Sequence, residues 1–220
     1  MRNALVIVLL ISLLLTAAAG FSQQTKVTSD TDKVAAFEKQ GVLVDIQHFF
    51  AAAKTSPSPE GVVAADIASG RALVTDDGIY AFLETPVNAD ILKSVTVGTV
   101  VTVTGKLLRK GQLISIEKIT LLSNAPAIDI TKYSKDAGTA VILTGRNMCQ
   151  CGLSVDPLPK TCKLGHLHHL QTPDGKIYHY LQTKNAQPLF QGVNSHFKTL
   201  EVKARLLPGQ YLLVESFEDK

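Results

Sequence analysis

The feature that most constrains this 220-residue chain is an internal repeat. Six short blocks of sequence recur in one order after 97 to 99 residues, which is hard to obtain by chance. We therefore predict two copies of one domain, over residues 41–122 and 138–220. The matched blocks are Asp77–Thr85 with Asp174–Thr183, Asn88–Ala89 with Asn185–Ala186, Val103–Leu108 with Val202–Leu207, Gly111–Gln112 with Gly209–Gln210, Glu117 with Glu215, and Gly41 with Gly138.

Each copy has the pattern of a small β domain. In Val101-Thr102-Val103-Thr104, apolar and polar side chains alternate as in a half-buried strand, and Asp76-Asp77-Gly78 is a hairpin signal. Asn88 is a suitable cap for a short helix that runs to Lys93. The predicted strands of the first copy are Val42–Ile46, Ala64–Thr75, Ile79–Thr85, Thr99–Leu108 and Leu113–Thr120.

This order of elements resembles the OB-fold, a five-stranded Greek-key barrel. The strand with Tyr80 and Phe82, followed by the later strand Val101–Gly105, is similar to small periplasmic or secreted bacterial OB-fold proteins. The resemblance implies a mainly β chain of two tandem OB-fold-like barrels, each with a short helix between strands 3 and 4. The resemblance carries no catalytic residues over.

The first residues have the pattern of a secretory signal. Arg2 precedes an apolar run that ends in Ala17-Ala18-Ala19, so we expect cleavage after Ala19 and an exported protein, periplasmic or extracellular, with no membrane span after cleavage. Residues 20–40 are predicted to be a polar tail with a short helix over Asp32–Gln40, and residues 123–137 a linker. Removal of Arg2 lowers the net charge from +3 to +2, which disfavours nucleic acid as a partner.

The second copy carries a cluster of cysteine and histidine that the first copy lacks. All three cysteines of the chain lie in this copy, and histidines follow directly. Thiolates and imidazoles in this number suit Zn, or Cu as a softer alternative. Because residues two apart on a strand point the same way, we expect His169 to point away from the site. The predicted metal ligands are Cys149, Cys151, Cys162, His166 and His168.

Two other interpretations of the cluster remain open. Export favours disulfides, so Cys162 could bridge to Cys149 or Cys151 in a structural or interaction protein of the cell envelope. A thiol oxidoreductase is a weaker hypothesis, because the usual C-x-x-C at a helix N-terminus is absent. The sequence therefore favours a non-enzymatic binding module whose partner is a metal ion, with an envelope protein as the alternative. Met148 is expected to pack in the core, and His179 to face outward.

Overall fold

In the part of the chain that the structure describes, ten strands form two closed barrels that follow one another in sequence. The computed structural model describes residues 34–51, 70–83, 89–125, 127–150, 167–190 and 197–220. The first barrel contains β1 (Val34–Asp45), β2 (Arg71–Val74), β3 (Ile79–Leu83), β4 (Val100–Leu108) and β5 (Leu113–Leu121). The second contains β6 (Thr139–Cys149), β7 (His168–Gln171), β8 (Ile177–Tyr180), β9 (Thr199–Leu207) and β10 (Tyr211–Asp219).

Both barrels have the same strand order. The order is β1-β2-β3-β5-β4 in the first barrel and the equivalent β6-β7-β8-β10-β9 in the second. Helix α1 (Ile46–Ala51) follows β1, and a short helix precedes the fourth strand of each barrel, α2 (Ala89–Ser94) and α4 (Gln187–Phe190). The prediction of two tandem OB-fold-like barrels, each with a helix between strands 3 and 4, is confirmed.

The alternating sequence of the fourth strand explains how it closes the barrel. In β4, Val101 and Val103 are fully buried, whereas Thr102 and Thr104 are only partly covered. The equivalent strand β9 buries Leu200 and Val202 in the same way. One face of each strand therefore lines a barrel interior, as the period of two predicts.

The predicted helix over Asp32–Gln40 is wrong in its described part. Residues from Val34 onward form β1, which pairs antiparallel with β4 from Val34 opposite Leu108 to Val42 opposite Val100. The residues of this segment are tolerated in a helix, but the long ladder with β4 satisfies their backbone groups and buries Phe37. Tertiary pairing therefore overrides the local preference.

The predicted match of Gly41 with Gly138 is also wrong. A β-carbon at Gly41 would lie 2.6 Å from the carbonyl oxygen of Val74, and one at Gly145 would lie 2.6 Å from that of Gln171. Val42 pairs with Val74 and Arg146 with Gln171, so the strand registers also make Gly145 the counterpart of Gly41. The offset is thus 104 residues in the first strand and 97 in the second, because the segment between them is shorter in the second copy.

The two barrels pack against each other through one apolar cluster. It joins the outer faces of β2 and β3 to residues of the second barrel, among them Met148, Ile177, Leu207 and Tyr211. The linker contributes as well, since Ile128, Ile130 and Tyr133 pack against the same cluster, the last from helix α3 (Thr131–Ser134). OB-folds commonly use the face of strands 2 and 3 to bind ligands, and here the other barrel covers it.

The contacts between the barrels are reciprocal. A β-carbon at Gly111, in the turn before β5, would lie 2.9 Å from Ile177 Cβ, and one at Gly209, in the turn before β10, would lie 2.7 Å from Ile79 Cβ. Because Gly111 matches Gly209 and Ile79 matches Ile177, each barrel makes the same contact with the other, as reciprocal contacts do in an isologous dimer. None of the helices in the described ranges has the length and apolar character needed to cross a bilayer.

Candidate metal centre

Cys149 and His168 are direct neighbours across two strands of the second barrel. They are register partners at the end of β6 and the start of β7, and their exposed fractions are 1% and 2%. Side chains directly opposite each other in an antiparallel pair project to the same side, with Cβ atoms about 4.5–5.5 Å apart. A single ion at bonding distance from both Cys149 Sγ and His168 is therefore compatible with this pair.

The remaining predicted ligands, Cys151, Cys162 and His166, lie outside the described residues. Their segment leaves β6 just after Cys149 and returns just before His168, so the two described ligands stand at the two ends of that segment. Within the residues that the structure describes, no three His, Cys, Asp or Glu side chains converge as a metal-binding group. A complete ligand set therefore requires residues of this segment.

The two consecutive histidines of β7 face opposite sides of the sheet, as predicted. The His168 ring lies 6.0 Å from that of Phe190, in the interior of the second barrel. His169 turns to the other face, where its Nδ1 is 2.9 Å from Nδ1 of His179. His169 thus does not share the side of Cys149 and His168.

The first barrel shows what the same positions do without a cysteine. By register, Asp45 and Arg71 occupy the places of Cys149 and His168. Asp45 Oδ1 accepts hydrogen bonds from the backbone N–H groups of Gln47 (3.0 Å) and His48 (3.1 Å), which caps helix α1. The Arg71 guanidinium donates to the carbonyl oxygens of Leu92 and Val95. The fold can therefore be built with a structural pair here, and the second copy places a thiol and an imidazole instead.

The difference extends to the residues around the pair. Where the first barrel has buried apolar side chains, the second has side chains that donate or accept hydrogen bonds. Burying such groups costs free energy unless each finds a partner, so the barrel fold alone does not account for them. The equivalent pairs, first barrel then second, are Leu43 and Asn147, Ile46 and Gln150, Ala72 and His169, Ala81 and His179, and Phe82 and Tyr180.

His169 and His179 form a hydrogen-bonded chain that ends in the other barrel. His179 Nε2 lies 2.6 Å from the carbonyl oxygen of Gly111, which can only accept, so Nε2 carries the proton. Neutral His179 then has a lone pair on Nδ1, and His169 Nδ1–H donates to it. His169 is left with a lone pair on Nε2, which is buried and has no hydrogen-bond partner among the described residues.

Burial keeps both imidazoles neutral. It lowers the pKa of His179 to about 4, against a smaller upward effect of the Gly111 carbonyl. Burial also lowers the pKa of His169 well below its usual value, with further lowering from the charges of His179 and His168. Neutral imidazole is the form that binds metal ions.

A small cavity lies where the two barrels meet. Its volume is about 30 Å³, and its lining comes from both barrels. Ile46, Gly70 and Arg71 contribute from the first barrel, at the ends of the connection between β1 and β2. The second barrel contributes the matching Gln150, Leu167 and His168, together with His169, His179 and Tyr180. The connection between β1 and β2 and the connection between β6 and β7 therefore both begin and end beside this cavity.

Sequence reasoning missed part of this polar region. His179 was predicted to face outward, and it does lie outside its own barrel, but the first barrel covers it and leaves only 3% of its surface exposed. The replacement of Ala81 by His179 is visible once the two copies are aligned.

Compared with known proteins, the chain matches no protein-family model, no curated protein and no solved structure.

Proposed function

We propose that the chain is an exported, non-enzymatic binding protein that holds a transition-metal ion, zinc or copper, in its second barrel. The ligands are Cys149 and His168 from the described strands, and Cys151, Cys162 and His166 from the segment between them. The observation that carries the proposal is the buried cross-strand pair Cys149–His168, which replaces the Asp45–Arg71 pair of the first barrel.

The chemistry of the pair supports a metal. Thiolate and neutral imidazole are the usual ligands of Zn, and they also suit Cu(I). The proposed set provides three sulfur ligands and one or two nitrogen ligands, which are enough to close a tetrahedral site. A metal site that is present in the second barrel and not in the first explains why the two copies differ at these positions.

Binding at the usual OB-fold surface is disfavoured by the packing of the barrels. The outer faces of β2 and β3 are buried against the second barrel, including Ala72, Val74, Ile79 and Ala81. A nucleic acid or glycan at this surface would have to separate the barrels. This supports a ligand at the ends of the strands rather than on the sheet face.

The decisive experiment is metal analysis together with a thiol count on the full chain purified from the compartment to which it is exported. We expect one equivalent of Zn or Cu, and thiols that react with an alkylating reagent only after a chelator has been added. Cys149→Ser and His168→Ala should each lose most of the metal. His48→Ala, at a side chain that is 82% exposed in the first barrel, is the matched control and should keep it.

The alternative of a structural disulfide gives a different result. Peptide mapping would then find Cys162 joined to Cys149 or Cys151, with one thiol that reacts whether or not a chelator is present. Such a result, with no bound metal in the wild-type chain, would overturn the proposal and favour a structural or interaction protein of the envelope.

A further inference from the structure

A row of three side chains crosses the outer face of the second barrel on the side away from Cys149 and His168. Met148 on β6 is directly opposite His169 on β7, and His169 is directly opposite His179 on β8. The row is buried against the first barrel, with exposed fractions of 8%, 5% and 3%. In the first barrel the same row consists of Val44, Ala72 and Ala81.

We propose that Met148 and His169 bind a soft monovalent cation of the Cu(I) type between the barrels, with His179 as a positioning residue. The ion is held by the Met148 thioether and by Nε2 of His169. Both ligands donate an electron pair to the ion, no proton is displaced, and the ion keeps its oxidation state. This site lies on the opposite face of the sheet from the proposed cysteine site and does not depend on it.

The hydrogen-bonded chain fixes the state of His169 that a metal needs. Because Gly111 O takes the proton of His179 Nε2, and His179 Nδ1 takes that of His169 Nδ1, the lone pair of His169 lies on Nε2. Metal-bound histidines usually donate the other ring N–H in this way, which sets the tautomer and the ring orientation. Nothing in the described part of the chain uses that lone pair.

The direction of the ring favours Met148 as the second ligand. The two nitrogens lie on different edges of an imidazole, and Nδ1 of His169 is turned toward His179. Nε2 therefore lies on the ring edge away from His179, and in the row Met148 stands on the other side of His169 from His179. Directly opposite residues have Cβ atoms about 4.5–5.5 Å apart, so a flexible thioether can reach an ion held by that nitrogen.

The surroundings favour a soft ion of low charge. The ring of His169 lines the 30 Å³ cavity between the barrels, and the described side chains of that lining include no carboxylate. Arg71 is its one charged residue among those described, and its guanidinium donates to the carbonyl oxygens of Leu92 and Val95. A divalent ion would be costly to bury without anionic ligands, whereas thioether and imidazole suit Cu(I).

The experiment uses Ag(I), a redox-stable soft monovalent cation, and the methyl resonance of Met148. The chain has two methionines, and Met1 lies in the predicted leader, so the Met148 methyl group is readily assigned by selective ¹³C labelling. The full chain is titrated in a Cys149→Ser/Cys151→Ser/Cys162→Ser background, which removes all three thiols of the chain. We expect this methyl resonance to shift and to saturate at one equivalent of Ag(I).

Three variants complete the test. His169→Ala, which has the residue of the first barrel at this position, should abolish the shift, and Met148→Leu should lower the bound Ag(I) by one equivalent. His179→Ala should weaken binding by about 10- to 100-fold, as expected for loss of a residue that orients a ligand. If His169→Ala does not fold, the volume-conserving variant Met148→Leu decides the test, because its expected loss of one bound equivalent of Ag(I) is still measurable. An unshifted methyl resonance in the folded chain, or a shift that persists in His169→Ala, would overturn the proposal whatever the cysteines bind.

Discussion

Gly111 and Ile177 are in close contact across the boundary between the barrels, where a β-carbon at Gly111 would lie 2.9 Å from Ile177 Cβ. Gly209 has the same relationship to Ile79 in the opposite direction. The duplicated glycine thus has a packing role that neither copy would need alone. Each barrel uses its own turn to cover the third strand of the other.

We predict that Gly111→Ala destabilises the chain by about 1–3 kcal/mol, because the added methyl group overpacks the interface. Urea unfolding measures the change in the free energy of unfolding. Gly98→Ala is the matched control: its φ of +89° strains an alanine, but no atom lies within 4 Å of the added carbon. It should cost about 1 kcal/mol from backbone strain alone.

Gly209→Ala combines both effects, since it has a φ of +76° and a contact of 2.7 Å to Ile79 Cβ. It should therefore be the most destabilising of the three substitutions. If Gly111→Ala were as stable as the wild-type chain, the barrels would not be packed in solution as the structure describes.

The architecture could be predicted from the sequence because it depends on local patterns. The period of two in Val101–Thr104 and the recurrence of Asp77-Gly78 as Asp174-Gly175 need no knowledge of distant contacts. The sequence predicts a helix for the first part of β1, because only the ladder with β4 makes that part a strand, whereas the end of β1 falls in the predicted strand Val42–Ile46.

The candidate site was only partly predictable. Strand alternation separated His168 from His169 correctly, and the asymmetry of the copies singled out Cys149. The row that contains His169 and His179 was not recognised, because its burial depends on a second barrel whose position no local pattern specifies. The proton positions in that row follow from the carbonyl oxygen of Gly111, 68 residues from His179 in sequence.

The histidine pair predicts a dependence of stability on pH. The pKa of His179 is lowered from 6.5 to about 4 in the folded chain, so the unfolded chain binds more protons between these values. Stability from this group is fully present above about pH 6.5 and is lost as the pH falls toward 4. The loss amounts to about 3 kcal/mol if His179 titrates alone.

Urea unfolding between pH 7 and pH 4 tests this prediction against His179→Gln. Glutamine can donate a hydrogen bond to Gly111 O without titrating, so the variant should be less sensitive to pH in this range while other groups contribute equally to both proteins. Equal pH dependence of the two proteins would show that His179 is not buried as a neutral imidazole.

Phe82 and Tyr180 occupy equivalent positions in the two barrels, so each residue can be replaced by its counterpart as a test. The Tyr180 hydroxyl group is buried and has no hydrogen-bond partner among the described residues, and burial raises its pKa, so it stays protonated. Tyr180→Phe introduces the residue that the first barrel has at this position and removes an unsatisfied polar group. We predict a free energy of unfolding that is unchanged or higher by about 1 kcal/mol.

The reverse substitution, Phe82→Tyr, should destabilise the chain by about 1–3 kcal/mol, because it buries a hydroxyl group in an apolar interior. Phe82 is 3% exposed and packs with Leu43, Leu73 and Val101. Thermal or urea unfolding of both variants without added metal gives the comparison. A large loss of stability in Tyr180→Phe would mean that the hydroxyl group has a partner in the folded protein, and this end of the second barrel would then hold a more complete polar network than the described residues provide.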